Sequence, residues 1–183
     1  SIAQRMKTPD VVICDTMSIN ALVEASKLAS DAFVPRYGVT LRVVDDITIK
    51  DKKSGQASYN LKVYPQDEQA MVALFGLLSK ANTEDNFYFV ARLSWSDVYA
   101  ALIDANFSVS TGDLNGIFEH PDHQEIMERL TESVGMKNLY VEMCPVTSGY
   151  HDRVNSIAIE YVQAGYQPLV TTPVLYDAEG YDP

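Results

Sequence analysis

The segment 139–166, LYVEMCPVTSGYHDRVNSIAIEYVQAGY, constrains this chain more than any other. Leu139 to Cys144 are apolar enough for a buried strand, with Glu142 the only charge among them. From Val154 onward, Ile157, Ala158, Tyr161 and Val162 fall on one helical face, and Gly165 can close the helix in the left-handed conformation. A strand, a loop and an amphipathic helix in succession each need a partner layer for their apolar faces, which commits this region to packed helix and sheet.

The remaining sequence repeats the theme in mixed order. Asp10 to Cys14 reads as a short strand, followed by a helix to about Phe33 that Asp15 or Thr16 caps and Pro35 stops. Val39–Val44 and Ala57–Tyr64 read as an antiparallel hairpin whose long tip, 45–56, is charged and turns at Gly55. A helix over 66–80 buries Met71, Leu74, Phe75 and Leu78. Residues 86–93 read as a strand, Ser94 with Asp97 as a capping box for a helix to Ala105, and Phe107–Ser110 as a strand edge. After the turn Thr111-Gly-Asp-Leu-Asn-Gly116, Asp122 and Glu125 suggest a capped helix that Gly135 ends. The expected fold is α/β (α+β), a single mixed and largely antiparallel sheet flanked by helices. One globular domain over 1–176 and an acidic tail over 177–183 are expected.

Composition narrows the function classes. Apolar residues make up 46% and charged residues 21% of the 183, ordinary for a globular chain. The absence of a long apolar run argues against a membrane span, and Ser1 to Pro9 lacks the apolar core of a secretory signal, so cytosolic synthesis without export is expected. The net charge is −11, with 14 basic and 25 acidic residues. Such a field repels nucleic acid, and the densest basic cluster, Lys50-Asp-Lys-Lys53, reads as an exposed hairpin tip.

Candidate chemistry is sparse. Cys14 and Cys144 sit in apolar strands without a CxxC partner and read as buried free thiols, so a thiolate metal site is not expected. His120-Pro-Asp122-His123, with His151-Asp152 farther on, has the residue types of metal ligands, but its spacing equally suits a solvated helix start capped by Asp122. Asp45-Asp46 follows a strand, where carboxylates can hold Mg²⁺, yet it also balances the neighbouring lysines. No metal set is assigned. Glycine-rich nucleotide loops and a serine nucleophile elbow are absent. Among the 11 tyrosines, Tyr176 and Tyr181 on the acidic tail are the interface candidates.

Tyr161-Val-Gln-Ala-Gly165-Tyr166 resembles the end of the last helix of the GNAT acyltransferase superfamily, and Asn155 the asparagine at that helix's start. The resemblance covers roughly 118–176 and implies a GNAT-like fold, with Tyr161 as general acid toward a leaving thiolate of acyl-CoA. The loop that would cradle the pyrophosphate, Glu119 to Gln124, has no glycine or arginine and carries two acids.

Two functions are therefore expected from the sequence. One is a non-catalytic structural or protein-interaction domain of a larger assembly, with a bacteriophage particle as an instance, needing no cofactor and joining protein partners or itself. The alternative is an acyl-CoA-dependent N-acyltransferase acting through Tyr161.

Overall fold

The structure, a computed structural model, describes residues 10–27, 29, 34–50, 56–145 and 149–171. Its strands are β1 (Asp10–Thr16), β2 (Val34–Val44), β3 (Tyr59–Pro65), β4 (Leu93–Ser94), β5 (Phe107–Ser110), β6 (Leu139–Met143) and β7 (Gln167–Val170). Its α-helices are α1 (Asn20–Lys27), α2 (Glu68–Ala81), α3 (Trp95–Ile103), α4 (His123–Val134) and α5 (Gly149–Gln163).

One sheet runs in the order β1-β2-β3-β5-β6-β7, with β4 paired to the end of β2. The single mixed sheet flanked by helices is as expected, but its balance differs from a largely antiparallel one. Among the described strands, parallel pairings join β1 to β2, β2 to β4, β5 to β6 and β6 to β7, whereas β2–β3 and β3–β5 are antiparallel. The cause is connectivity: α1, α4 and α5 each carry the chain back to the starting edge of the sheet, and a strand regained through such a crossover runs parallel. The β2–β3 hairpin forms as read, with Val39 opposite Val63 and Val43 opposite Tyr59.

Strand alternation sorts the two sheet faces. Val39, Leu41 and Val43 of β2, Leu61 and Val63 of β3, Phe107 and Val109 of β5, and Leu139 and Val141 of β6 are all buried. They join the apolar sides of the helices, among them Leu74 and Leu78 of α2, Leu102 of α3, Met127 and Leu130 of α4, and Ala158 of α5, in one core. Each fully buried leucine of this kind contributes roughly 1.5–3 kcal/mol relative to exposure. The opposite face carries the site described below.

Several local signals are realised as read. The Asp15 carboxylate accepts the Ala21 amide at the start of α1, and Ser94 and Asp97 form a reciprocal capping box on α3. Others are not. Asp122 makes no side-chain cap on α4, and α5 begins at Gly149, ahead of the Val154 expected. Residues 86–92 do not form a strand: only Leu93 and Ser94 pair with β2. The buried Arg92 guanidinium instead gathers the carbonyls of Ile47, Ile49 and Asn86, so side-chain bonding outweighs the strand preference of Phe87, Tyr88 and Phe89.

Candidate functional site

The face turned away from the helices is polar, because the register brings the polar positions of successive strands side by side. Thr40 faces Lys62, Lys62 faces Ser110, and Tyr64 faces Ser108. Residues of β1 and β7, the two ends of the strand order, line one cleft of about 370 Å³ together with Arg36, Tyr64, Ser108, Tyr140 and Thr171. The sheet therefore curls, and this face is its concave one. Gly38 permits the closest approach inside it: a Cβ there would lie 2.4 Å from the Tyr64 ring.

Glu142 lies at the bottom with no exposed surface. Lys62 Nζ and the Thr171 hydroxyl donate to its Oε1, and the Ser110 hydroxyl donates to its Oε2. Its own amide donates to Thr111 Oγ1 at 2.9 Å. A buried ion pair persists only where such additional donors complete it, because desolvation otherwise exceeds the attraction. Both carboxylate oxygens are thus committed to the fold. Beside them, burial pushes the Cys14 thiol above its ordinary range, against the opposing effects of Thr40 and Lys62. Burial likewise drives the Tyr64 phenol up, with Cys14 and Glu142 adding to it. Neither group is a ready nucleophile at neutral pH.

At the carboxyl ends of β5 and β6 a second group of side chains converges. The loop after β5 is a tight ring: Gly112 has φ +73°, and a Cβ on Gly116 would meet the Gly112 carbonyl oxygen at 2.5 Å. This ring holds Asp113 buried, with Oδ1 3.4 Å from His151 Nε2 in the first turn of α5. Cys144, just after β6, is clamped by Asn155, whose side chain accepts the Cys144 amide at 3.2 Å and donates to its carbonyl at 2.8 Å. One donor atom each from Asp113, Cys144 and His151 lies within 4.8 Å of the others.

The histidine pair of 120–123 is divided between two surroundings. His120 is buried, contrary to the solvated helix start expected, and its Nε2 lies 2.9 Å from Asp45 Oδ1. Its Nδ1 accepts the Asp122 amide at 2.9 Å, so the proton of the neutral ring sits on Nε2 and is donated to Asp45. Trp95 Nε1 donates to the same Asp45 oxygen, and these groups border an open cavity of about 450 Å³ with Tyr99, Glu125 and Arg129. Asp45 is thereby the acceptor of a tryptophan and a histidine, while Asp46 closes a turn onto Thr48. His123 points elsewhere, with Nδ1 3.2 Å from the Tyr161 hydroxyl. Burial depresses the His123 imidazole and raises the Tyr161 phenol.

Tyr161, the residue proposed above as a general acid, stacks on Phe118 at 5.2 Å, and Phe118 lies in the 3₁₀ turn Ile117–Glu119 that precedes α4. Tyr176 and Tyr181 lie outside the described residues. Lys50 lies at the start of the basic cluster and donates to the Glu84 carbonyl, while 51–55 lie outside the description. The sequence reading missed the convergence on Glu142, although the lone charge in an apolar strand was its signal. It also missed the meeting of Asp113, Cys144 and His151, which no spacing announces.

A family model for the PHP domain matches residues 1–145. The DNA polymerase III subunit alpha of Yersinia pestis is 28% identical over 182 residues, which cover 92% of this chain and 16% of that relative. The chain thus spans a small fraction of the relative's length. These matches overturn the GNAT resemblance, and with it the acyltransferase reading and the phage structural reading. The resemblance rested on a strand–helix unit closed by glycine, and that unit is a local solution shared by many layered folds.

Proposed function

The chain belongs to the PHP domain family, and on that premise we propose that it works in DNA replication as the PHP module of a DNA polymerase III alpha-type subunit. The observation that carries this reading is the alignment of nearly the whole chain, 92%, to one part of such a subunit. The geometry agrees with a module whose concave face is built for integrity. The carboxylate at its centre is saturated by Lys62, Ser110 and Thr171, so the chemistry left accessible lies at the rim formed by the carboxyl ends of the strands. Ligands of open α/β sheets bind at that edge.

The partner in this reading is the polymerising polypeptide. A net charge of −11 opposes a DNA backbone, so the reading assigns DNA contact to the partner. The test mixes the purified chain with an alpha-type polypeptide lacking its own PHP module and follows co-sedimentation and primer extension. A stable complex with faster extension is expected. Absence of a complex at micromolar concentrations, with extension unchanged, would sink the proposal.

A further inference from the structure

We propose that the cavity between α4 and α5, walled by His123, Tyr161 and Tyr166 and edged by Glu128 and Glu160, receives an arginine side chain of a protein partner. Helical spacing builds it. His123 and Met127 of α4 stand four residues apart and share a face, and Glu160 and Tyr161 of α5 line the same cavity from the other helix. Its volume is about 340 Å³, near the lower end of the roughly 300–1,000 Å³ of ligand clefts, which suits one long side chain entering from solvent.

No lysine or arginine lines this cavity, and among the described residues neither Glu128 nor Glu160 has an ion pair. Arg129, next to Glu128 in sequence, lies instead over the Tyr99 ring, 4.5 Å from its centre. His123 does not neutralise the acids either, since burial lowers its imidazole and leaves the ring uncharged at neutral pH. Two exposed carboxylates without a cation, on a chain of net charge −11, attract one, and the tyrosine faces beside them hold it through the ring quadrupole. A guanidinium fits best. It is planar enough to stack on a tyrosine, its fork of N–H groups donates to carboxylates, and it is more weakly hydrated than an ammonium. The walls are already set: Phe118 stacks on Tyr161 at 5.2 Å, the Tyr161 hydroxyl lies 3.2 Å from His123 Nδ1, and the Tyr166 hydroxyl lies 2.9 Å from Thr131 Oγ1. Rings held in this way lose little freedom when a partner binds. The inference stands on these residues and does not depend on the replication reading.

The test is an NMR titration of the full chain with the capped tripeptide acetyl-Gly-Arg-Gly-amide, read at the ring resonances of Tyr161, Tyr166 and His123. Saturable shifts at millimolar peptide are expected, and the tripeptide with uncharged citrulline in place of arginine should give none. Glu128→Gln and Glu160→Gln, both at exposed positions, should each weaken binding about 3-fold, as loss of an exposed charge pair does. Glu68→Gln, at the start of α2, should leave the affinity unchanged, which separates the cavity from the general negative field. Tyr161→Phe should keep the affinity and Tyr161→Leu should lower it about 3-fold through loss of the ring face. Should Tyr161→Leu fail to fold, the two glutamine variants decide. Equal binding of the citrulline peptide, or equal losses in Glu68→Gln and Glu160→Gln, overturns the site. Tighter binding of the lysine tripeptide overturns the guanidinium assignment, and tighter binding of free L-arginine overturns the protein source.

Discussion

The Lys62 ammonium of β3 bonds to the Glu142 carboxylate of β6 across the intervening strand β5, whose Ser110 holds the other carboxylate oxygen. Three strands are thereby tied on the concave face by one buried charge, while their opposite faces are tied by the apolar core. The pair connects positions 80 residues apart in sequence, so it reports long-range closure of the sheet.

Removing one partner should be costly. Lys62→Met leaves the carboxylate buried without its cation and should destabilise the chain by about 3–5 kcal/mol. The double variant Lys62→Met/Glu142→Leu should lose much less than the sum of the single changes. Urea unfolding of all four species gives the coupling energy, and strict additivity would refute a functional pair.

Gly38 is where the concave face has least room. Gly38→Ala places a methyl group against the Tyr64 ring and should cost about 1–3 kcal/mol by overpacking. Replacing the ring with a shorter side chain, Tyr64→Leu, should recover part of that loss in thermal unfolding. No recovery would mean that the clash lies with the backbone of Val63 instead.

His123 should titrate below its ordinary value of about 6.5, chiefly because burial disfavours the imidazolium, with Glu160 opposing. The unfolded chain then binds more protons between the two pKa values. Its contribution to stability is accordingly complete above about pH 6.5 and declines as the pH falls toward the lower folded value. NMR titration of the ring reads the shift directly, and His123→Gln should flatten this component of the melting profile. An imidazole that titrates above 6.5 would contradict the assignment.

Asn155 joins α5 to the end of β6 by two hydrogen bonds to Cys144. Asn155→Ala should cost about 1–3 kcal/mol, since the backbone amide and carbonyl of the buried Cys144 lose their partner. Hydrogen exchange at the Cys144 amide should accelerate more than at Val141, which lies within the core. Equal acceleration at both would point to global loosening instead of a local clamp.

Much of the local structure is legible in the sequence. Apolar alternation in β2, β3 and β6 announced strands, and helical spacing announced α2, α4 and the later turns of α5. Ser94 with Asp97 and Gly135 marked helix ends that the structure keeps. The reading failed where side chains reached far along the chain. Arg92 captured carbonyls from 47 and 49 and unmade an apparent strand, and His120 turned inward to Asp45 when its neighbours suggested solvent. The resemblance built on Tyr161 and Gly165 used short-range features alone, and these do not distinguish one layered fold from another.

The sequence by itself determined the elements, several of their caps and the apolar face that each strand would bury. Those depend on residues two to four apart, which interact whatever the rest of the chain does. Only the tertiary structure decided strand direction, the curl that makes one face concave, and which polar residues meet there. Helical crossovers turned most pairings parallel, and sheet register brought Lys62, Ser110 and Glu142 together. The meeting of Asp113, Cys144 and His151 at the carboxyl edge has the same origin. Contacts between distant positions exist only once the intervening chain has closed, and no local pattern encodes that closure.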